Sequence, residues 1–206
     1  MVHVPRMFFY DVAVSVSFET VLKWMGLTKQ TALAAADRER IERLYRESFA
    51  YIKVDAVAAR VPILALDAKG MTLAGDVRLE STYLSKWFAG CREVVLMGST
   101  AGAEIMRRIE DDSAKGELHR ALVYNTVGGA AADAGLDHAM QVYRSIVVRE
   151  GRTVTRDRWS AGFADFSLEQ QRIFCDVLGM HELGVEVLPS AMLKPEKSVT
   201  AFCGIM

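Results

Sequence analysis

The residues best placed to do chemistry are Arg158-Trp159-Ser160-Ala161-Gly162-Phe163. A guanidinium can form a charge-assisted, two-pronged pair with a carboxylate. Four residues later a glycine, lacking Cβ, allows close approach to the backbone. The phenylalanine beside it can stack on a ring. Taken by themselves, these are better read as an exposed arginine, a turn glycine and a core phenylalanine.

Other reactive patterns are missing. The chain has no GxxxxGK[ST] loop, no GxGxxG and no GxSxG elbow. Gly98-Ser99-Thr100-Ala101-Gly102 superficially resembles an anion-binding turn, but it lacks the lysine and the full glycine pattern. His3, His119, His138 and His181 are dispersed, and Cys91, Cys175 and Cys203 form no CxxC pair, so neither a metal site nor a catalytic group is expected. Scattered free thiols fit a reducing cytoplasm. The opening Met1–Tyr10 carries no continuous apolar core of a secretion signal, and no apolar run is long enough to span a membrane. A formal net charge of −1 argues against nucleic acid or an anionic membrane as partner.

Three segments together carry a resemblance. Arg158-Trp159-Ser160-Ala161-Gly162-Phe163 resembles the R-x-x-x-G-[YF] loop of the activation domain of cobalamin-dependent methionine synthase. Cys91 to Gly102 resembles short, stand-alone members of that family, and Gly184 to Ala201 resembles its closing hairpin. The likeness covers roughly residues 60 to 205, in the same order.

The resemblance implies that Asp133, Arg158, Ser160, Gly162 and Phe163 bind S-adenosylmethionine. In that reading Arg158 meets the carboxylate, Asp133 the amine or ribose, and Phe163 a ring or the sulfonium side. Two positions depart from the family: Phe163 stands where the larger enzymes have tyrosine, and Asp133 is one methylene shorter than the family's glutamate. No D-x-H-x-x-G corrinoid motif is present, so the cobalamin is expected on a partner. The implied role is to assist reductive remethylation of an oxidised corrinoid on a separate methionine synthase or other corrinoid protein. A flavodoxin-like protein would supply the electron. The alternative is a non-catalytic module that caps or stabilises a corrinoid protein without binding S-adenosylmethionine.

The positioning elements can be read from periodicity. Helices are expected over Ser17–Met25, Thr31–Ala59, Leu79–Phe88 and Ala114–Arg149, with Ser99 or Thr100 capping another before the last. Ser167 should cap a helix running to Leu178. Gly128-Gly129 inside the long helix calls for close packing or for approach of a ligand. Strands are expected at Ile63–Leu66, Met71–Leu73 and Glu93–Met97, with Thr153–Arg158 extended. Val185–Leu193 and Ser198–Ile205 should pair across Lys194–Lys197. Strands and helices do not alternate regularly. The predicted fold is therefore α+β, a twisted, mainly antiparallel sheet with flanking helices. With 206 residues and no linker of biased composition, one domain is expected: a helical region 1–60 and an activation-domain-like core 61–206.

Overall fold

A computed structural model describes residues 4–27 and 33–206. The first helix forms where expected: the Ser17 hydroxyl accepts from the Thr20 N–H at 3.1 Å and caps α1 (Phe18–Trp24). Helix α2 (Ala35–Ser48) follows, then a 3-10 turn at Phe49–Tyr51. The expected helix start at Thr31 lies outside the described residues.

Helix α2 does not continue to Ala59. The chain becomes β2 (Asp55–Asp67), and Ala56, Val57, Ala58 and Ala59 are all fully buried. A strand covered on both faces shows no alternation, so its sequence cannot be told from a buried helix by period alone. The region 1–60 is thus not wholly helical: β1 (Arg6–Phe9) also lies there, antiparallel to β2 with Arg6 opposite Ala59.

Three other readings shift. Leu79 belongs to β4 (Val77–Glu80), which pairs with β3 (Gly70–Leu73), so helix α3 is only Leu84–Trp87. Ser99 and Thr100 end β5 (Glu93–Thr100) rather than capping a helix. Gly102, at φ 86°, takes the cap position of α4 (Ala103–Ala114), and the Thr100 hydroxyl accepts its N–H at 3.1 Å. A corner at Gly116, φ 76°, then separates α4 from α5 (Leu118–Val148).

Ser167 caps a short 3-10 turn leading into α6 (Gln171–Leu178). The expected closing hairpin is replaced by a small ribbon, β6 (Glu186–Val187) with β7 (Leu193–Lys194). Strand β8 (Ser198–Ile205) pairs instead with β5 along its whole length, Glu93 opposite Ile205.

The resulting sheet is antiparallel, in the order β4-β3-β2-β5-β8 with β1 added to β2. Its alternating side chains serve two cores. Ala58, Val95, Met97, Ala201 and Cys203 pack against Leu136, Ala139 and Met140 of α5. Val57, Ala59, Val94, Leu96 and Phe202 face Phe88, Phe166, Phe174 and Leu178. A third core joins the N-terminal half of α5 to α1, α2 and α4 through Val21, Ile41, Ile105 and Val127. Among the described residues no helix is long and apolar enough to cross a membrane.

Packing accounts for the helical glycine at 128. A Cβ there would come within 3.2 Å of Lys197 Cγ and 3.4 Å of Ile105 Cγ1. Position 129 is looser, with only Trp24 at 3.7 Å.

Candidate functional site

The segment 153–159 is held along the open edge of β8. The Thr155 N–H donates to Gly204 O at 2.9 Å. Farther along, the Trp159 N–H donates to Phe202 O at 2.9 Å and the Phe202 N–H returns a bond to Trp159 O at 2.8 Å. Successive side chains of extended backbone point to opposite faces. Arg158 accordingly turns toward α5, and Trp159 toward α3.

On the α5 side, Asp133 and Asp137 stand one helical turn apart and share the Arg158 guanidinium. Nη2 donates to Asp133 Oδ1 at 2.7 Å, and Nη1 pairs with Asp137 Oδ1. Arg158 is 20% exposed, Asp133 40% and Asp137 67%, so the carboxylates face water while the cation lies beneath them. Burial alone would lower the guanidinium pKa. The Asp133 hydrogen bond and charge, followed by those of Asp137, outweigh it and hold the value above the ordinary one.

On the other side, four aromatic rings form a ladder. Trp87 and Trp159 stack with centroids 3.4 Å apart and planes 5° from parallel. Tyr83 continues the stack on Trp87 at 5.0 Å, and Phe163 leans on Trp159 at 5.4 Å. Phe163 is 58% exposed and Tyr83 45%.

The loop between these rings turns tightly. The Gly162 N–H donates to Phe166 O at 2.7 Å, and the Phe166 N–H donates to Phe163 O at 2.9 Å. Gly162 sits at φ 87°, where glycine is favoured; an added Cβ would meet only Leu168 Cδ1, at 3.5 Å. Backbone conformation, rather than crowding, therefore explains this glycine. Asp165 ties the loop to the start of α3. It accepts from the Ser81 hydroxyl, from the Thr82 N–H at 2.8 Å and from the Thr82 hydroxyl at 2.6 Å. Those bonds, the Ser81 one foremost, hold its pKa below the ordinary carboxylate value.

The structure brings Asp133 and Arg158 into contact. Half-buried Ser160 and exposed Gly162 and Phe163 follow on the adjoining loop, and the Phe163 ring rests on Trp159. Sequence reasoning missed Asp137, Asp165, Trp87 and Tyr83. Asp137 had a readable signal, its i+4 spacing from Asp133.

Cavities among the described residues lie elsewhere, two of them apolar. One, of about 530 Å³, is between α4 and the β6–β7 ribbon; the other, of about 570 Å³, is between the β3–β4 turn and α6. Among the described residues no group of three or more His, Cys, Asp or Glu could hold a metal ion.

No protein-family model matches the chain, and no curated protein matches its sequence. Among solved structures, it is similar to the crystal structure of the MetH reactivation domain bound to AdoHcy. The TM-score is 0.66 at 11% identity, over 98% of this chain and 79% of that one. At that identity the likeness establishes the fold: an α+β domain with a curled antiparallel sheet and flanking helices.

Proposed function

We propose that this protein assists reductive remethylation of an oxidised corrinoid carried by a separate methionine synthase or related corrinoid protein. S-adenosylmethionine is the methyl donor in this reading, and a flavodoxin-like protein in the cytoplasm supplies the electron. The observation that carries the reading is the shared fold, over 98% of this chain, with a reactivation domain that binds AdoHcy.

The charged cluster fits such a ligand. The amino-acid end of S-adenosylmethionine carries one carboxylate and one ammonium. Arg158 offers a fork of N–H donors for the first; Asp133 and Asp137 offer acceptors for the second. Insertion would exchange the internal ion pairs for intermolecular ones of the same kind, so no buried charge need be left without a partner. Ser160, Gly162 and Phe163 would border the adenosine end, with Phe163 and Trp159 offering ring faces. When bound, the ligand supplies a methyl on a sulfonium, which a corrinoid reduced by one electron accepts, leaving S-adenosylhomocysteine. This chain contributes proximity and orientation; methyl transfer from a sulfonium needs no general base.

Calorimetric titration with S-adenosylmethionine and S-adenosylhomocysteine, alone and with a corrinoid protein present, tests the proposal. Saturable binding of both is expected. No heat at millimolar ligand under either condition overturns it.

One observation favours the second reading, a capping module that binds no S-adenosylmethionine: the Arg158 guanidinium already has two carboxylate partners within its own chain. Capture of a corrinoid protein together with a null titration would select that reading.

A further inference from the structure

We infer that Trp87 and Tyr83 are positioning residues for the ligand loop 158–163, acting through Trp159. The inference rests on the functional reading above and adds two residues outside the charged cluster: Trp87, stacked on Trp159, and Tyr83, stacked on Trp87.

The loop is fixed at both ends. At its start, paired backbone bonds join Trp159 to Phe202 of β8; at its end, Asp165 grips Ser81 and Thr82. Between these anchors the Phe163 ring has one aromatic neighbour, Trp159. The Trp159 ring is in turn set by the parallel indole of Trp87, 3.4 Å away. Trp87 belongs to a helix of only four residues. That helix is secured from below by Leu84 and Phe88, which are 0% and 1% exposed. Rigidity thus passes from the core, through α3 and two stacked indoles, to a loop that faces solvent.

Core packing explains the inner indoles, Trp87 and Trp159, which lie against the sheet's core, but not the outer rings. A stack formed only to bury apolar area would hide its outer rings, yet Tyr83 and Phe163 are 45% and 58% exposed. Arg158 and Trp159 are consecutive residues of extended backbone, so the ladder seats Trp159 on one face while Arg158 meets Asp133 and Asp137 on the other. The ladder therefore fixes the ring on which Phe163 leans, and with it one end of the span a single ligand would have to bridge.

The test compares wild type with Trp87→Phe, Trp87→Ala and Tyr83→Ala, using S-adenosylmethionine titration, near-ultraviolet circular dichroism and amide hydrogen exchange of residues 160–163. The stacked indoles should give a coupled signal in the wild type that is lost in both Trp87 variants. Trp87→Phe keeps a ring in the stack and should retain most of the affinity. Trp87→Ala should weaken binding by about tenfold or more, since small displacements of binding groups are costly, and should speed exchange in the loop. Tyr83→Ala, which removes an exposed ring, should fold normally and show the same changes on a smaller scale. If Trp87→Ala does not fold, Tyr83→Ala decides, and wild-type exchange and affinity in that variant overturn the inference. Unchanged exchange and affinity in a folded Trp87→Ala overturn it as well. A wild type that binds no S-adenosylmethionine would sink the functional reading instead; loop exchange in the variants then decides alone whether the ladder holds the loop.

Discussion

Under the proposed function Arg158 has two separable duties, and substitution can tell them apart. Its partners Asp133 and Asp137 are 40% and 67% exposed, so they remain hydrated if the guanidinium is removed. Arg158→Ala should therefore cost no more than about 1 kcal/mol of stability, the usual range for pairs open to water. S-adenosylmethionine binding, in contrast, should fall by roughly 100-fold, the loss of a charge-assisted pair to a carboxylate. Arg158→Lys keeps the charge but not the planar fork, and should recover only part of the affinity. Thermal melting and titration on the same samples check both; a large drop in melting temperature with unchanged binding would reverse the assignment. What the structure shows of the expected residues is a contact between two of them, Arg158 and Asp133. Arg158 and Asp133 emerged from a family pattern, and Asp137 could have been added from helical spacing. The Trp87–Trp159 stack could not be foreseen, because its partners are distant in sequence and meet only through tertiary packing.

The long helix α5 presents a sharper test of packing. Gly135 faces β5 so closely that an added Cβ would overlap Ser99 Oγ and come within 2.8 Å of Val54 Cγ1. Gly135→Ala gains about 1 kcal/mol of helix propensity but incurs roughly 1–3 kcal/mol or more of overpacking against backbone-anchored neighbours. Net destabilisation is expected. Gly129→Ala meets only Trp24 at 3.7 Å, an ordinary contact, and should stabilise by roughly 0.5–1 kcal/mol. Urea titration of the two variants should show midpoints moving in opposite directions. Elements differ in how far their sequence discloses them. Strand β5 was readable because Val94-Val95-Leu96 forms a short apolar run beside polar neighbours, and α1 because Ser17 announces it. The α2–β2 boundary was not, since Val54 to Val61 is apolar at nearly every position, and β1, at four residues, was too short to show a period. The partner of β8 was misread for a related reason: adjacency along the chain favoured β7, whereas eight residues of matched register favour β5.

At the scale of the whole molecule, one ion cluster joins the sheet to the segment after α5. Arg60 of β2 binds Glu93 of β5 at 2.7 and 2.9 Å and Glu150 at 2.7 and 2.8 Å, while Arg152 also pairs with Glu93. Hydrogen bonds from Arg60 hold both carboxyls below their ordinary values. A carboxyl whose folded pKa is depressed contributes stability in full above its unfolded value, about 4.3. That contribution is lost as pH falls through the folded value. Stability should therefore decline on acidification below about pH 5, and Glu93→Gln should be less stable at pH 7 with a flatter decline. Urea midpoints from pH 7 to pH 3 measure both; parallel curves for the two proteins would remove the cluster from the account. Strand β8 has a different kind of importance. It fills the gap between β5 on one flank and Trp159 on the other, so until residues 198–205 are made β5 has a strand, β2, on one edge only and Trp159 lacks its backbone partner. A nascent chain therefore reaches that stage with one edge of β5 open and the segment 153–159 unshaped. During synthesis this protein should depend on chaperone shelter until those residues emerge, and chains lacking them should clump.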